Sequence, residues 1–211
     1  MAAVNGRNAD PAVVADKLER IRQRHVASIN ELADRIADSE RIPRGYVPYV
    51  DPDQGGVRAR MLVLLDNPST KAEAGTGSGL LSLDNNDRTA RNCREAYARH
   101  GIDSIEVVHW NVVPFPVAGA KNGGSTAAER RKAAHWTREM VQLLPEIEIV
   151  LLLGAAARDG WDKAGIDRSD LYVPPGKVPH CSARGLNTAG GRDRFEDAIA
   201  TVAEMLRRTA A

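Results

Sequence analysis

Three stretches of the chain are apolar at consecutive rather than alternate positions: RMLVLLDNPS (60–69), SIEVVHWNVVPFP (104–116) and IEIVLLLGAAA (147–157). A strand with one wet face alternates between apolar and polar residues. A strand buried on both faces does not, and such strands occur mainly in parallel sheets covered by helices. Helical patterns fill the intervals. Thr89, Ala90, Cys93, Ala96 and Tyr97 recur at helical spacing and stop at His100-Gly101. The glycine-rich stretch VAGAKNGGST leads to Thr126 and Glu129, which have capping-box spacing. The helix they open carries Trp136, Met140, Leu143 and Leu144 on one side, and Phe195, Ile199, Val202 and Leu206 stripe a last helix from about Arg192 to Arg208. A short extended piece is expected in LYVPPGKVPHCSARGLN (171–187). Strands alternating with helices predict an α/β fold, three layers α/β/α around a central four-stranded, mainly parallel sheet.

Upstream, Asp10-Pro11 reads as an N-cap followed by proline at the first helical position. Val14, Leu18, Ile21, His25, Ile29, Leu32 and Ile36 predict one long amphipathic helix ending near Ser39. Arg41 to Gly56, rich in proline and glycine, reads as a loop. Residues 1–58 are therefore expected to pack as a helix and loop on a body formed by 59–211, one structural domain overall. A length of 211 residues and 43% hydrophobic content suit one core. No apolar run approaches the roughly 20 residues that span a bilayer, and the first residues do not resemble a signal peptide. Two cysteines are too few for a disulfide framework or an all-cysteine metal site. A cytoplasmic location is the expectation. A net charge of +1 neither announces nucleic-acid binding nor excludes it.

In parallel sheets ligands bind beyond the carboxyl ends of the strands. Four segments meet that condition: Asp66–Ser69, His109–Phe115, Gly154–Arg158 and His180–Asn187. They carry no dinucleotide fingerprint, no phosphate-loop lysine, no Gly-x-Ser-x-Gly elbow and no metal-ligand spacing among the histidines. What they do carry is two strand-end amides, Asn67 and Asn111, and a lone histidine, His180. Amides suit the edge of a polar ring, having donors and an acceptor. A histidine donor suits a developing oxyanion.

At these positions the chain resembles the uracil-DNA glycosylase superfamily, from Arg60 to Leu206. LVLLDNPS resembles the first motif, with Asn67 where the mismatch-specific and single-strand-selective branches place a water-orienting asparagine. VVHWNVVPFP resembles the strand whose asparagine reads the flipped base, which implicates Asn111. IVLLLGAAA is similar to the third core strand, and PHCSARGLN to the His-Pro-Ser loop, with His180 the catalytic histidine and Ser182 pinching phosphate. The resemblance implies hydrolysis of the N-glycosidic bond of a base rotated out of DNA, uracil or a related or modified pyrimidine, to leave an abasic site. It implies Pro68 and Ser69 beside the base, Arg184 as the wedge filling the vacated stack, and Ser78 as a further DNA contact. It implies a monomer with DNA as partner and no cofactor, metal or membrane.

Three departures change that pattern. Leu65-Asp66 stands where the family has Gly plus a variable residue, which makes Asp66 a second candidate for handling the water. The aromatic that stacks on the base is replaced by Leu80, Leu81 and Leu83, so Phe115 is an alternative stacking residue. Cys181 replaces the middle proline. An iron–sulfur cluster needs four cysteines and is not expected. A small-molecule nucleoside glycosidase and a non-catalytic module binding modified DNA remain open alternatives.

Overall fold

The structure, a computed structural model, describes residues 6–69, 72–75, 77–117 and 124–209; the centre of VAGAKNGGST, 118–123, lies outside them. In chain order the elements are α1 (Pro11–Glu19), α2 (Ala27–Glu40), β1 (Tyr49–Val50), β2 (Met61–Leu65), β3 (Leu80–Leu81), α3 (Arg88–His100), β4 (Val107–Asn111), α4 (Ala127–Gln142), β5 (Ile149–Leu152), α5 (Ala155–Ala164), α6 (Ala183–Leu186) and α7 (Gly191–Thr209).

The chain is α/β, but its central sheet has three strands rather than the expected four, in the order β4-β2-β5 and all parallel. The extended piece after α5 meets β5 only at Tyr172, as a single bridge to Ile149. Pro174 and Pro175 follow at once. Proline has no N–H to give a ladder, so pairing stops there. The carbonyl of Val178 still accepts from the Gly154 amide at 3.0 Å, so the segment runs beside the end of β5 without forming a strand. A second, two-stranded parallel sheet joins β1, inside the segment expected to be a loop, to β3.

Both faces of the three-stranded sheet are covered. Leu62, Leu64, Val108, Trp110, Val150 and Leu152 pack in one apolar cluster with α2 and α4. Met61, Val63, Val107, Ile149 and Leu151 pack in the other with α3 and α7. The two-residue period of a strand sends alternate side chains to each, and each fully buried Val, Leu or Ile contributes roughly 1.5–3 kcal/mol. Thr126 and Glu129 make the capping box read from their spacing. No helix among the described residues is long and apolar enough to cross a membrane.

The long first helix is instead two helices, α1 and α2, broken between Arg20 and Val26. The apolar stripe is continuous, but side chains answer the backbone groups that the break releases: Asn30 Nδ2 donates to the Ile21 carbonyl at 2.9 Å. Asn30 Oδ1 also accepts from the Val50 amide at 2.7 Å. The bend leaves α1 on the β1–β3 sheet, where Lys17 is completely buried. Its ammonium lies 2.6 Å from Asp51, 2.8 Å from Asp84 and 3.4 Å from Asp53. Burial pulls its pKa down, yet Asp51 and Asp84 outweigh that and raise it above the ordinary lysine value. Lysine is almost never fully buried unless paired, and removing one partner of a buried ion pair costs about 3–5 kcal/mol. Lys17→Met should lose that amount of unfolding free energy in urea denaturation. A loss under about 1 kcal/mol, the value of a surface pair, would show that α1 is merely laid on the surface.

Candidate active site

The strand order reverses about β2: the chain leaves β2 for β4 on one side, then crosses to β5 on the other. Beyond the carboxyl ends of β2 and β4 lies a cavity of about 120 Å³. A cavity of about 150 Å³ takes one benzene, so this one is on the scale of a single six-membered ring. Leu65, Asn67, Pro68 and Ser69 line it from β2, and His109 and Asn111 from β4. Leu81, Ser82, Leu83 and Asn85 line it from the β3 segment, Asp87, Thr89, Ala90 and Cys93 from the start of α3, and His180 from the loop before α6.

His180 is held by its own loop. The Ser182 amide donates to His180 Nδ1 at 3.0 Å. Nδ1 is thus an acceptor, and in the neutral ring the proton sits on Nε2, leaving an N–H donor. Burial lowers the His180 pKa, against the opposing pull of Asp66 and Asp87. Two glycines let the backbone close around it. A Cβ on Gly185 would stand 2.0 Å from the His180 carbonyl oxygen. Gly154, at φ 100° and ψ 166°, adopts a conformation essentially reserved for glycine, and a Cβ there would meet His180 Cβ at 3.2 Å.

The two amides differ. Asn67 Nδ2 donates to the Pro68 carbonyl at 3.2 Å, which leaves Oδ1 as its remaining acceptor. Asn111 is buried, and its Oδ1 has no hydrogen-bond partner among the described residues. Buried atoms of Asn8, Trp110, Trp136 and Thr137 also lack partners, but none of these residues lines this cavity. An unpaired buried acceptor costs about 1–3 kcal/mol, recoverable when a donor enters.

Asp66 is not among the lining residues. Its carboxylate accepts from the Ser125 amide at 3.0 Å and from the Ser125 hydroxyl, so it anchors the segment leading into α4. Phe115 is likewise absent from the lining; it is buried in the cluster on the α2 and α4 face, with the Lys132 ammonium 5.2 Å over its ring. Ser78 is buried and donates to Asn85 Oδ1 at 2.7 Å. Ser182 Oγ caps α6 by accepting from the Gly185 amide at 3.3 Å. Arg184 is exposed on α6. The structure therefore gathers Asn67, Pro68, Ser69, Asn111 and His180 around one cavity, and leaves Asp66, Phe115 and Ser78 outside it.

Several lining residues escaped the sequence reading. His109 faces the same side as Asn111 by the strand period, a clue present in VVHWN. Its Nδ1 donates to Gln54 Oε1 at 3.0 Å, and its Nε2 lies 3.2 Å from the Tyr97 hydroxyl. Cys93 reaches the cavity from α3, while Leu81 and Leu83, already singled out where a stacking aromatic was expected, form its apolar wall. Among the described residues no group of three His, Cys, Asp or Glu is arranged to hold a metal ion. No protein-family model matches the chain, and no curated protein matches it.

Two outcomes follow for the loop. With a folded-state pKa below the ordinary histidine value of about 6.5, His180 binds fewer protons in the folded than the unfolded chain. Its contribution to stability is full above that pH and is lost as pH falls. NMR titration should show the Nε2–H tautomer at neutral pH and a midpoint below about 6.5; an Nδ1–H tautomer or a raised midpoint contradicts this. Gly154→Ala should cost about 1–3 kcal/mol in thermal or urea unfolding, whereas an unchanged stability would mean the loop gives way freely.

Proposed function

We propose that the chain is a monofunctional DNA glycosylase of the uracil-DNA glycosylase type. The observation that carries this reading is the unpartnered Asn111 Oδ1, buried in a ring-sized cavity that His180 and Asn67 also line. The cavity asks for a flat ligand with an N–H for Asn111 and an oxygen for the His180 Nε2–H, which is the polar edge of a pyrimidine. Leu81 and Leu83 supply an apolar wall for the ring faces in place of an aromatic.

In this reading the electron pair of the C–N bond leaves with the base, and His180 stabilises the charge on its oxygen. A donor of this kind is worth about 2.7–4 kcal/mol. Asn67 Oδ1 holds the water whose oxygen bonds to the sugar carbon. The proton that the water gives up ends on the departed base. An amide is too weak a base to ionise water, so positioning rather than proton abstraction carries the rate. Asp66, committed to Ser125, supports the loop geometry instead.

A small-molecule nucleoside glycosidase is a second reading, favoured by one observation: Ser78, expected on DNA, is buried and donates its hydroxyl to Asn85 inside the protein. Oligonucleotides carrying uracil, hypoxanthine or modified cytosines, followed by alkali cleavage, separate the two. The proposal expects abasic product, reduced about 10²–10³-fold in His180→Ala and strongly reduced in Asn67→Ala, with base selectivity relaxed in Asn111→Ala. Arg184→Ala should weaken activity on duplex DNA only. Release of base from free nucleosides without any abasic DNA selects the second reading.

A further inference from the structure

Two histidines line the cavity, and only His180 has a part in the proposed hydrolysis. His109 comes from the middle of β4, two residues before Asn111 and on the same face of the strand. It is buried, as are Gln54 and Tyr97, which take up its two ring nitrogens. The backbone at the ends of this trio sets which atom donates to which. The His109 amide can only donate, and it lies 3.3 Å from Gln54 Oε1. The Leu81 carbonyl can only accept, and Gln54 Nε2 donates to it at 3.1 Å. The Gln54 side chain is thereby oriented, with its oxygen toward His109. That oxygen takes a proton from Nδ1, 3.0 Å away, which leaves Nε2 to accept from the Tyr97 hydroxyl at 3.2 Å. The Tyr97 ring stacks beside the imidazole, with 6.0 Å between centroids and 29° between planes. Both nitrogens are spent inside the protein, so the surface His109 turns to the cavity is carbon.

We propose that His109 is a wall against which the bound ring packs through carbon alone, and that Gln54 is the positioning residue that holds it so. The inference rests on the reading of the cavity as a site for one planar ring. Gln54 does not line the cavity, but its single amide joins His109 of the central sheet to Leu81 of the small sheet, which both do. The two histidines thus divide the work by tautomer. His180 offers an N–H to the ring, and His109 offers none. An aromatic surface packs against any base, because every base has a π-face. His109 therefore adds affinity without choosing among polar edges, and that choice is left to Asn111 and His180. A free N–H on His109 would instead supply a second donor and admit rings of another polarity.

NMR of the histidine ring nitrogens and carbons in the intact chain tests this, with free uracil as the probe. Before uracil is added, His109 should carry its proton on Nδ1 and His180 on Nε2. Uracil should then move the His109 ring C–H signals together with those of His180, and leave the His109 tautomer unchanged. Gln54→Met should release His109 to a mixture of tautomers and weaken uracil binding on the order of tenfold, within what stacking on one aromatic ring is worth. Gln54→Glu, which still accepts from Nδ1, should keep the tautomer; a side chain that only filled space would not separate these two variants. A proton on His109 Nε2, or His180 signals that answer uracil while those of His109 stay still, would overturn the inference and leave the glycosylase reading standing. Silence of both histidines toward uracil would overturn the ring site and this inference with it. The wild-type spectra decide the matter even where a variant fails to fold.

Discussion

Burial of β2 on both faces is the constraint from which the rest of the molecule follows. Met61, Leu62, Val63 and Leu64 are completely excluded from solvent, with a parallel strand on either edge. Such a strand has no lateral outlet for polar chemistry, and polar residues appear only where it ends, at Asp66 and Asn67. The neighbouring strand β4 ends in the same plane, since Leu65 pairs with Asn111. Parallel register thus brings two amides from distant parts of the chain to one level. The reversal of strand order about β2 keeps that level open.

The cavity wall is then fixed from two directions. On one side, the Ser182 amide sets the tautomer of His180, while Gly154 and Gly185 permit the backbone to close on it. On the other, Ser82 donates to Asp51, which lies against the buried Lys17 ammonium, so α1 reaches the cavity through three side chains. Asp66, Ser125 and α4 brace the strand end from behind. These supports are polar and buried, and each is costly to leave half-made. The N-terminal helix therefore belongs to the body rather than to an appendage.

Much of this arrangement was legible in the residues. Unalternating runs placed the three central strands, and the Thr126–Glu129 pair placed the start of α4. Asn67, Asn111 and His180 were legible as strand-end polar residues, and they line one cavity. What was not legible depends on tertiary contact. The break between α1 and α2 is answered by Asn30, whose partners lie in other elements. The paired strands β1 and β3 are too short for their period to show. Tyr172 looked like a strand until two prolines ended its pairing. Phe115 was an alternative for the missing stacking aromatic, but its side chain turns into the core. Cys93 was legible in the apolar stripe of α3, but its place in the cavity wall is a property of the fold.

The central claim is that Asn111 Oδ1 and the His180 Nε2–H await the same flat ring. A crystal structure of the chain with abasic duplex DNA and the free base tests it most directly. The account predicts the base in the cavity between the β3 segment and β4, an N–H of the ring donating to Asn111 Oδ1, and a carbonyl oxygen of the base accepting from His180 Nε2. A base bound elsewhere, or a cavity left without it while DNA is held, would contradict the account.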